Sequence, residues 1–209
     1  RCKELAKDFN NISVREKSGV KLCNEYLGAE AVQVLDPTML LTKEDYLSLI
    51  DYSNVPKREG LFTYLLDDNK RKKNLVKKVE EALQIKEFKN QPKAFQSNKS
   101  IDIDDYIVPS VEGWIKGFDQ ADFIITDSFH GTVFSILFNK PFLVIVNEQK
   151  GASRFTSLLE LLGLGDRLLN EDCIVEQAIL EKEIDYISVN AKLKVLRNVG
   201  LIFLKQSTI

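Results

Sequence analysis

The chain has 209 residues, 29 Lys plus Arg against 31 Asp plus Glu, and a formal net charge of −2. An apolar share of 44% beside 29% charged residues describes a folded globular chain, and 12 Phe with only 5 Pro exclude a disordered, collagen-like or low-complexity one. The near-neutral balance supplies no global field for nucleic acid or an anionic membrane, and no apolar run reaches the roughly 20 residues that span a bilayer.

The chain opens Arg1-Cys2-Lys3-Glu4, without an initiating Met or a signal-peptide pattern, so a fragment beginning inside a longer polypeptide is expected. Residues 12–14 read as a short strand and 16–27 as a helix stopped by Gly28. Residues 31–35 read as a buried strand ending at Asp36-Pro37, where proline forbids a continuing ladder. Thr42 is positioned to cap a short helix to residue 50. The polar stretch 51–60, with Pro56, Gly60 and four charges, is the linker candidate.

A strand at 61–66 and a helix at 69–83 follow, the helix carrying Leu75, Val79 and Leu83 on one face. A weaker strand is read at 93–96, a helix at 111–120 and a strand at 122–126. The helix at 129–138 is apolar on nearly every side and therefore buried. A strand at 142–146, a helix at 153–162 stopped by Gly163, and a helical amphipathic tail at 174–205 complete the series. Apolar strands alternating with helices of about three turns predict a doubly wound parallel α/β sheet. The expected division is a first-lobe remnant over 1–50, a linker over 51–60 and a second lobe over 61–209.

Ligands of open parallel sheets bind beyond the carboxyl ends of strands, which directs attention to Thr126-Asp127-Ser128-Phe129-His130-Gly131-Thr132. Asp127 or Ser128 can cap the helix behind it. Unpaired N–H groups of His130, Gly131 and Thr132 would then surround the positive end of its dipole, an anion site. Gly131 would let a ligand approach the backbone, Ser128 and Thr132 would add hydroxyl donors, and His130, the only histidine, could donate to an anion or shuttle a proton near neutral pH. The plainer account is that the polar residues only cap and His130 satisfies a carbonyl.

Asp127, Ser128 and His130 diverge around a turn and cannot align as a hydrolase triad. No Gly-x-Ser-x-Gly, Gly-x-x-x-x-Gly-Lys or Gly-x-Gly-x-x-Gly occurs, which removes support for a serine esterase, an ATPase or a dinucleotide enzyme. Cys2, Cys23 and Cys173 have no paired spacing, so no zinc set is visible and reduced thiols in a cytoplasm are expected. Arg15, following the first strand, can grip a carboxylate or phosphate; pairing with Glu16 or Asp36 is the alternative. The basic run Lys70, Arg71, Lys72, Lys73, Lys77 and Lys78 reads as a solvated helix face, and Trp114 with Phe118 as core.

The run 121–135, containing Asp127-Ser128-Phe129-His130-Gly131-Thr132, resembles the signature of the polysaccharide pyruvyl transferase family. The resemblance extends to Asn139-Lys140-Pro141-Phe142, to Arg154-Phe155-Thr156-Ser157-Leu158-Leu159, and upstream to residues 12–19 and 34–38. It implies a two-lobed fold similar to B-type glycosyltransferases. The implied activity moves a pyruvyl group from phosphoenolpyruvate onto sugar hydroxyls, forming a ketal in a bacterial surface polysaccharide or its lipid-linked precursor.

In that likeness His130 and Arg15 contact the donor from the same cleft as the catalytic residues. Asp127, Ser128, Gly131, Thr132 and Arg154 bind substrate. No metal or cofactor is expected besides the donor, no nucleic-acid partner, and at most peripheral membrane association through a lipid-linked acceptor. Most of the first lobe would be missing, leaving the fragment inactive alone. A nucleotide-sugar glycosyltransferase and a non-catalytic binding module are the other readings. Binding of nucleotide would mark the first, and indifference to loss of both Arg15 and His130 the second.

Overall fold

The computed structural model describes residues 1–51, 57–67, 69–92, 106–146, 151–173 and 175–207. In chain order the elements are α1 (Cys2–Ala6), β1 (Ser13–Val14), α2 (Lys17–Leu22), β2 (Val32–Gln33), α3 (Lys43–Leu47), β3 (Leu61–Tyr64), α4 (Lys70–Leu83) and β4 (Glu87–Lys89). There follow α5 (Val111–Gln120), β5 (Phe123–Thr126), α6 (Phe129–Leu137), β6 (Phe142–Val146), α7 (Ser153–Leu162), β7 (Leu168–Asn170), α8 (Gln177–Glu181) and α9 (Tyr186–Ser207). The strand expected at 93–96 and half of the expected linker, residues 52–56, lie outside the described residues.

Contacts group these elements into two compact units, one of Arg1–Thr42, Val146–Leu168 and Glu183–Ile209, the other of Lys43–Ile145 and Leu169–Lys182. The boundaries differ from 1–50, 51–60 and 61–209 because side chains far apart in sequence close the first unit. Ser157 Oγ accepts from the Lys17 N–H and from Gln33 Nε2, both at 3.1 Å, and Ser153 Oγ donates to Glu16. Arg197 on α9 donates to the Met39 and Leu41 carbonyls. Among the described residues its sheet has two parallel strands, β1 and β2. As expected, α2 stops at Gly28, after a π-helical turn over Cys23–Leu27; the glycine's φ of 64° suits a residue without Cβ.

The second unit is built on a five-stranded parallel sheet in the order β4-β3-β5-β6-β7. Leu61, Phe123, Ile125, Leu143 and Ile145 point to one face and pack against Leu75, Val76 and Val79 of α4 and Leu180 of α8. Phe62 points to the other, where Gly117 of α5 lies so close that a Cβ would stand 2.6 Å from the Phe62 ring. Helices thus cover both faces, and the predicted doubly wound parallel α/β fold is the fold observed.

The chain runs from β3 to β4 on one side, then returns to lay β5 on the other side of β3. That reversal is a topological switch point, where open α/β sheets leave a crevice at the strands' carboxyl ends. The expectation of Trp114 and Phe118 as core holds, since Trp114 packs edge-on against Tyr64, Phe118 and Phe134 with centroids 4.7–5.4 Å apart.

Two short strands, β4 and β7, escape the sequence reading because three-residue edges draw their order from pairing rather than from their own pattern. The expected helical tail is made of two helices, α8 and α9. Lys182 is extended, and the Asp185 carboxylate accepts from the Ser188 N–H to start α9. Among the described residues no helix is long and apolar enough to cross a membrane.

Candidate functional site

The carboxyl ends of β3 and β5 carry the turn singled out above. Ser128 caps α6, its Oγ accepting from the Gly131 N–H at 3.3 Å, while its own N–H donates to Thr126 Oγ1. The Thr126 hydroxyl in turn donates to the Tyr64 carbonyl of β3 at 2.7 Å. The Thr132 N–H and hydroxyl both donate to the Ser128 carbonyl. These bonds correct the expected geometry. The N–H groups of Gly131 and Thr132 and the Thr132 hydroxyl are engaged within the turn, and Thr132 is fully buried.

Gly131 has a different reason to be glycine from the one expected. A Cβ there would fall on the Thr126 hydroxyl and stand 3.0 Å from Thr126 Cβ, so the missing side chain lets α6 seat on β5. It serves packing, not ligand approach. Asp127 is not the helix cap. Its Oδ1 accepts from the Leu66 N–H at 2.6 Å, and its Oδ2 from the Asp67 N–H at 3.1 Å and from Lys72 Nζ at 2.7 Å. Against these buried neighbours His130 stands out as exposed, its ring edge-on to Phe129.

Lys72 is the residue that sequence reasoning misread. Five members of the basic run face solvent, but the Lys72 side chain is only 3% exposed. Its ammonium lies against Asp127 Oδ2, the Asp67 carbonyl at 2.9 Å and Glu171 Oε1 at 3.2 Å. Burial lowers its pKa, but the contacts to Asp127 and Glu171 outweigh that, leaving it raised above 10.5 and the group charged. The signal was present in the spacing, since Lys72 sits three, four and seven residues before Leu75, Val76 and Val79 on the buried stripe. Glu171, following a strand that sequence did not show, had no such signal.

Arg15 and Arg154 belong to the first unit, whereas Asp127, Ser128, His130, Gly131 and Thr132 belong to the second. Arg15 donates from one terminal nitrogen to the buried Asp36 carboxylate at 2.6 Å. Asp36 also accepts from the Thr38 N–H and hydroxyl, so it caps the 3₁₀ turn Pro37–Leu40 while holding the guanidinium. That is the pairing alternative raised for Arg15. Arg154 is half-buried on α7, its guanidinium carbon 5.2 Å from the centre of the Phe155 ring.

An exposed histidine thus stands at the switch point of a doubly wound sheet, the end at which open α/β sheets bind their ligands. The chain belongs to the polysaccharide pyruvyl transferase family, whose sequence model matches residues 1–149. This is a family of transferases. The match takes in Arg15 and the whole 126–132 turn; Arg154 lies past it. Comparison with curated proteins gives no match.

Proposed function

We propose that the chain serves pyruvyl transfer from phosphoenolpyruvate to a saccharide, with the donor held at the turn that presents His130. The carrying observation is that this sole histidine is exposed at the start of a nine-residue helix, at the switch-point end of the sheet, in a chain of this family. Phosphoenolpyruvate brings a phosphate and a carboxylate, and both suit the positive end of a helix dipole and an imidazole able to donate to an anion.

In the reaction a proton adds to the methylene carbon of the enol, and the adjacent carbon becomes oxocarbenium-like. One sugar hydroxyl attacks that carbon, inorganic phosphate leaves, and a second hydroxyl closes the ketal; both hydroxyl protons are released. His130 is suited to give the proton or to offset the charge on the departing phosphate. Arg15 and Arg154 are further cations proposed for substrate binding, and the acceptor is a saccharide, free or lipid-linked.

The test is titration of the full-length protein with phosphoenolpyruvate, alongside phosphate release in the presence of an oligosaccharide acceptor. His130→Ala should weaken donor binding or abolish turnover. His130→Gln separates the two roles. Retained affinity with lost turnover marks a proton donor, and affinity lost together with turnover marks charge neutralisation, because a neutral amide can hydrogen-bond the donor but cannot offset its charge. A wild-type protein that ignores phosphoenolpyruvate but binds a nucleotide sugar would overturn the reading in favour of glycosyl transfer.

A further inference from the structure

The proposed function leaves Lys72 unused, yet the fold buries this side chain to 3% exposure at the end of the sheet where the donor is proposed to bind. A buried ammonium costs several kcal/mol unless its surroundings compensate, so its three N–H groups must find acceptors. Three oxygens surround it, each from a different segment. They are the Asp67 carbonyl in the loop after β3, the Asp127 carboxylate in the turn after β5, and the Glu171 carboxylate after β7. Both carboxylates are buried with it, Asp127 at 7% and Glu171 at 10% side-chain exposure.

The cluster is tied further into the backbone. Asp127 accepts the Leu66 and Asp67 N–H groups with its two oxygens. Glu171 lies 3.4 Å from Asn69 Nδ2, and Asn69 itself caps α4 by accepting the Arg71 and Lys72 N–H groups. Loop tips at strand ends are ordinarily the mobile parts of an α/β sheet. Here three of them converge on one cation.

We infer that Lys72 is a positioning residue for the proposed donor site, holding the Asp127 carboxylate so that the turn carrying His130 keeps one conformation. This rests on the assignment of His130 to the donor. The chemical link is short: Asp127 precedes Ser128, whose hydroxyl caps α6, and His130 is the second residue of that helix. Removing the cation leaves two buried carboxylates facing each other. They must then separate or take up a proton, and the turn moves with Asp127.

The single histidine makes the inference measurable without turnover. An untagged sample of the 209-residue chain labelled at histidine gives one imidazole signal, that of His130. Lys72→Met and Asp127→Asn should each displace that signal and the midpoint of its pH titration, and weaken phosphoenolpyruvate binding read from it at least tenfold. Gly200→Ala, whose Cβ would stand 2.8 Å from Leu40 within the first unit, is the control for destabilisation and should leave the signal in place.

Should Lys72→Met fail to fold, Lys72→Met with Asp127→Asn and Glu171→Gln removes all three charges together and should show the same displaced signal in a folded chain. Imidazole signals and titrations in the variants superimposing on wild type would overturn the inference and leave Lys72 a purely structural ion pair. Failure of the donor assignment looks different: phosphoenolpyruvate then fails to move the His130 signal of the wild-type chain itself.

Discussion

Two strand-to-helix turns carry the residues that the sequence nominated, and they are built in opposite ways. After β1, Arg15 is engaged by Asp36, so the polar group of interest is itself part of the structural network. After β5, hydrogen bonds join Thr126, Ser128, Gly131 and Thr132, Asp127 is held by Lys72, and His130 is exposed. The two-stranded sheet under Arg15 offers little apolar surface, and an ion pair holds the turn. The five-stranded sheet under His130 has helices on both faces, and its turn is closed by hydrogen bonds among buried groups. A reactive side chain can be displayed cheaply where its neighbours have already satisfied one another.

The sharpest way to break this comparison is at Lys72. Lys72→Met leaves Asp127 and Glu171 buried without their cation and should cost about 3–5 kcal/mol of stability. Denaturant unfolding checks this, and neutralising the two carboxylates as well, with Asp127→Asn and Glu171→Gln, should return much of the loss. Gly131→Ala comes next. It places a methyl on Thr126 and should cost about 1–3 kcal/mol by overpacking. Because the clash is shared, combining it with Thr126→Ala should cost less than the sum of the single changes.

The opposed roles of the two exposed-end residues predict opposed stabilities. Arg15→Ala removes the charged partner of a buried carboxylate and should cost about 1–3 kcal/mol. His130→Ala removes an exposed ring and should stay within about 0.5 kcal/mol. Thermal unfolding of the two variants decides between this outcome and its reverse, and phosphoenolpyruvate titration of the same samples tests both donor assignments.

The smallest effect is in pH. The Lys72 pKa is raised in the folded chain, so its stabilisation is fully present below 10.5 and is lost as pH rises through the higher folded value. Stability followed into alkaline solution should fall in that range for the wild type, and this part of the fall should be absent from Lys72→Met.

Much of this protein was legible in its local pattern. The apolar runs at β3, β5 and β6 identify buried parallel strands because both faces of such strands are covered. Ser128 ahead of α6 and the glycines at 28 and 163 mark helix ends because orphan backbone groups there demand particular residues. His130 at the start of an apolar helix, after a strand, was enough to nominate the turn. Tertiary structure alone decided which groups in that turn were spoken for. Asp127 meets Lys72 across 55 residues, and Ser157 meets Lys17 across 140. Such pairings depend on which strands become neighbours and in what register, and no local spacing encodes that. Gly131 shows the same division: its small size was visible in the sequence, but that the space belongs to Thr126 follows only from α6 packing on β5.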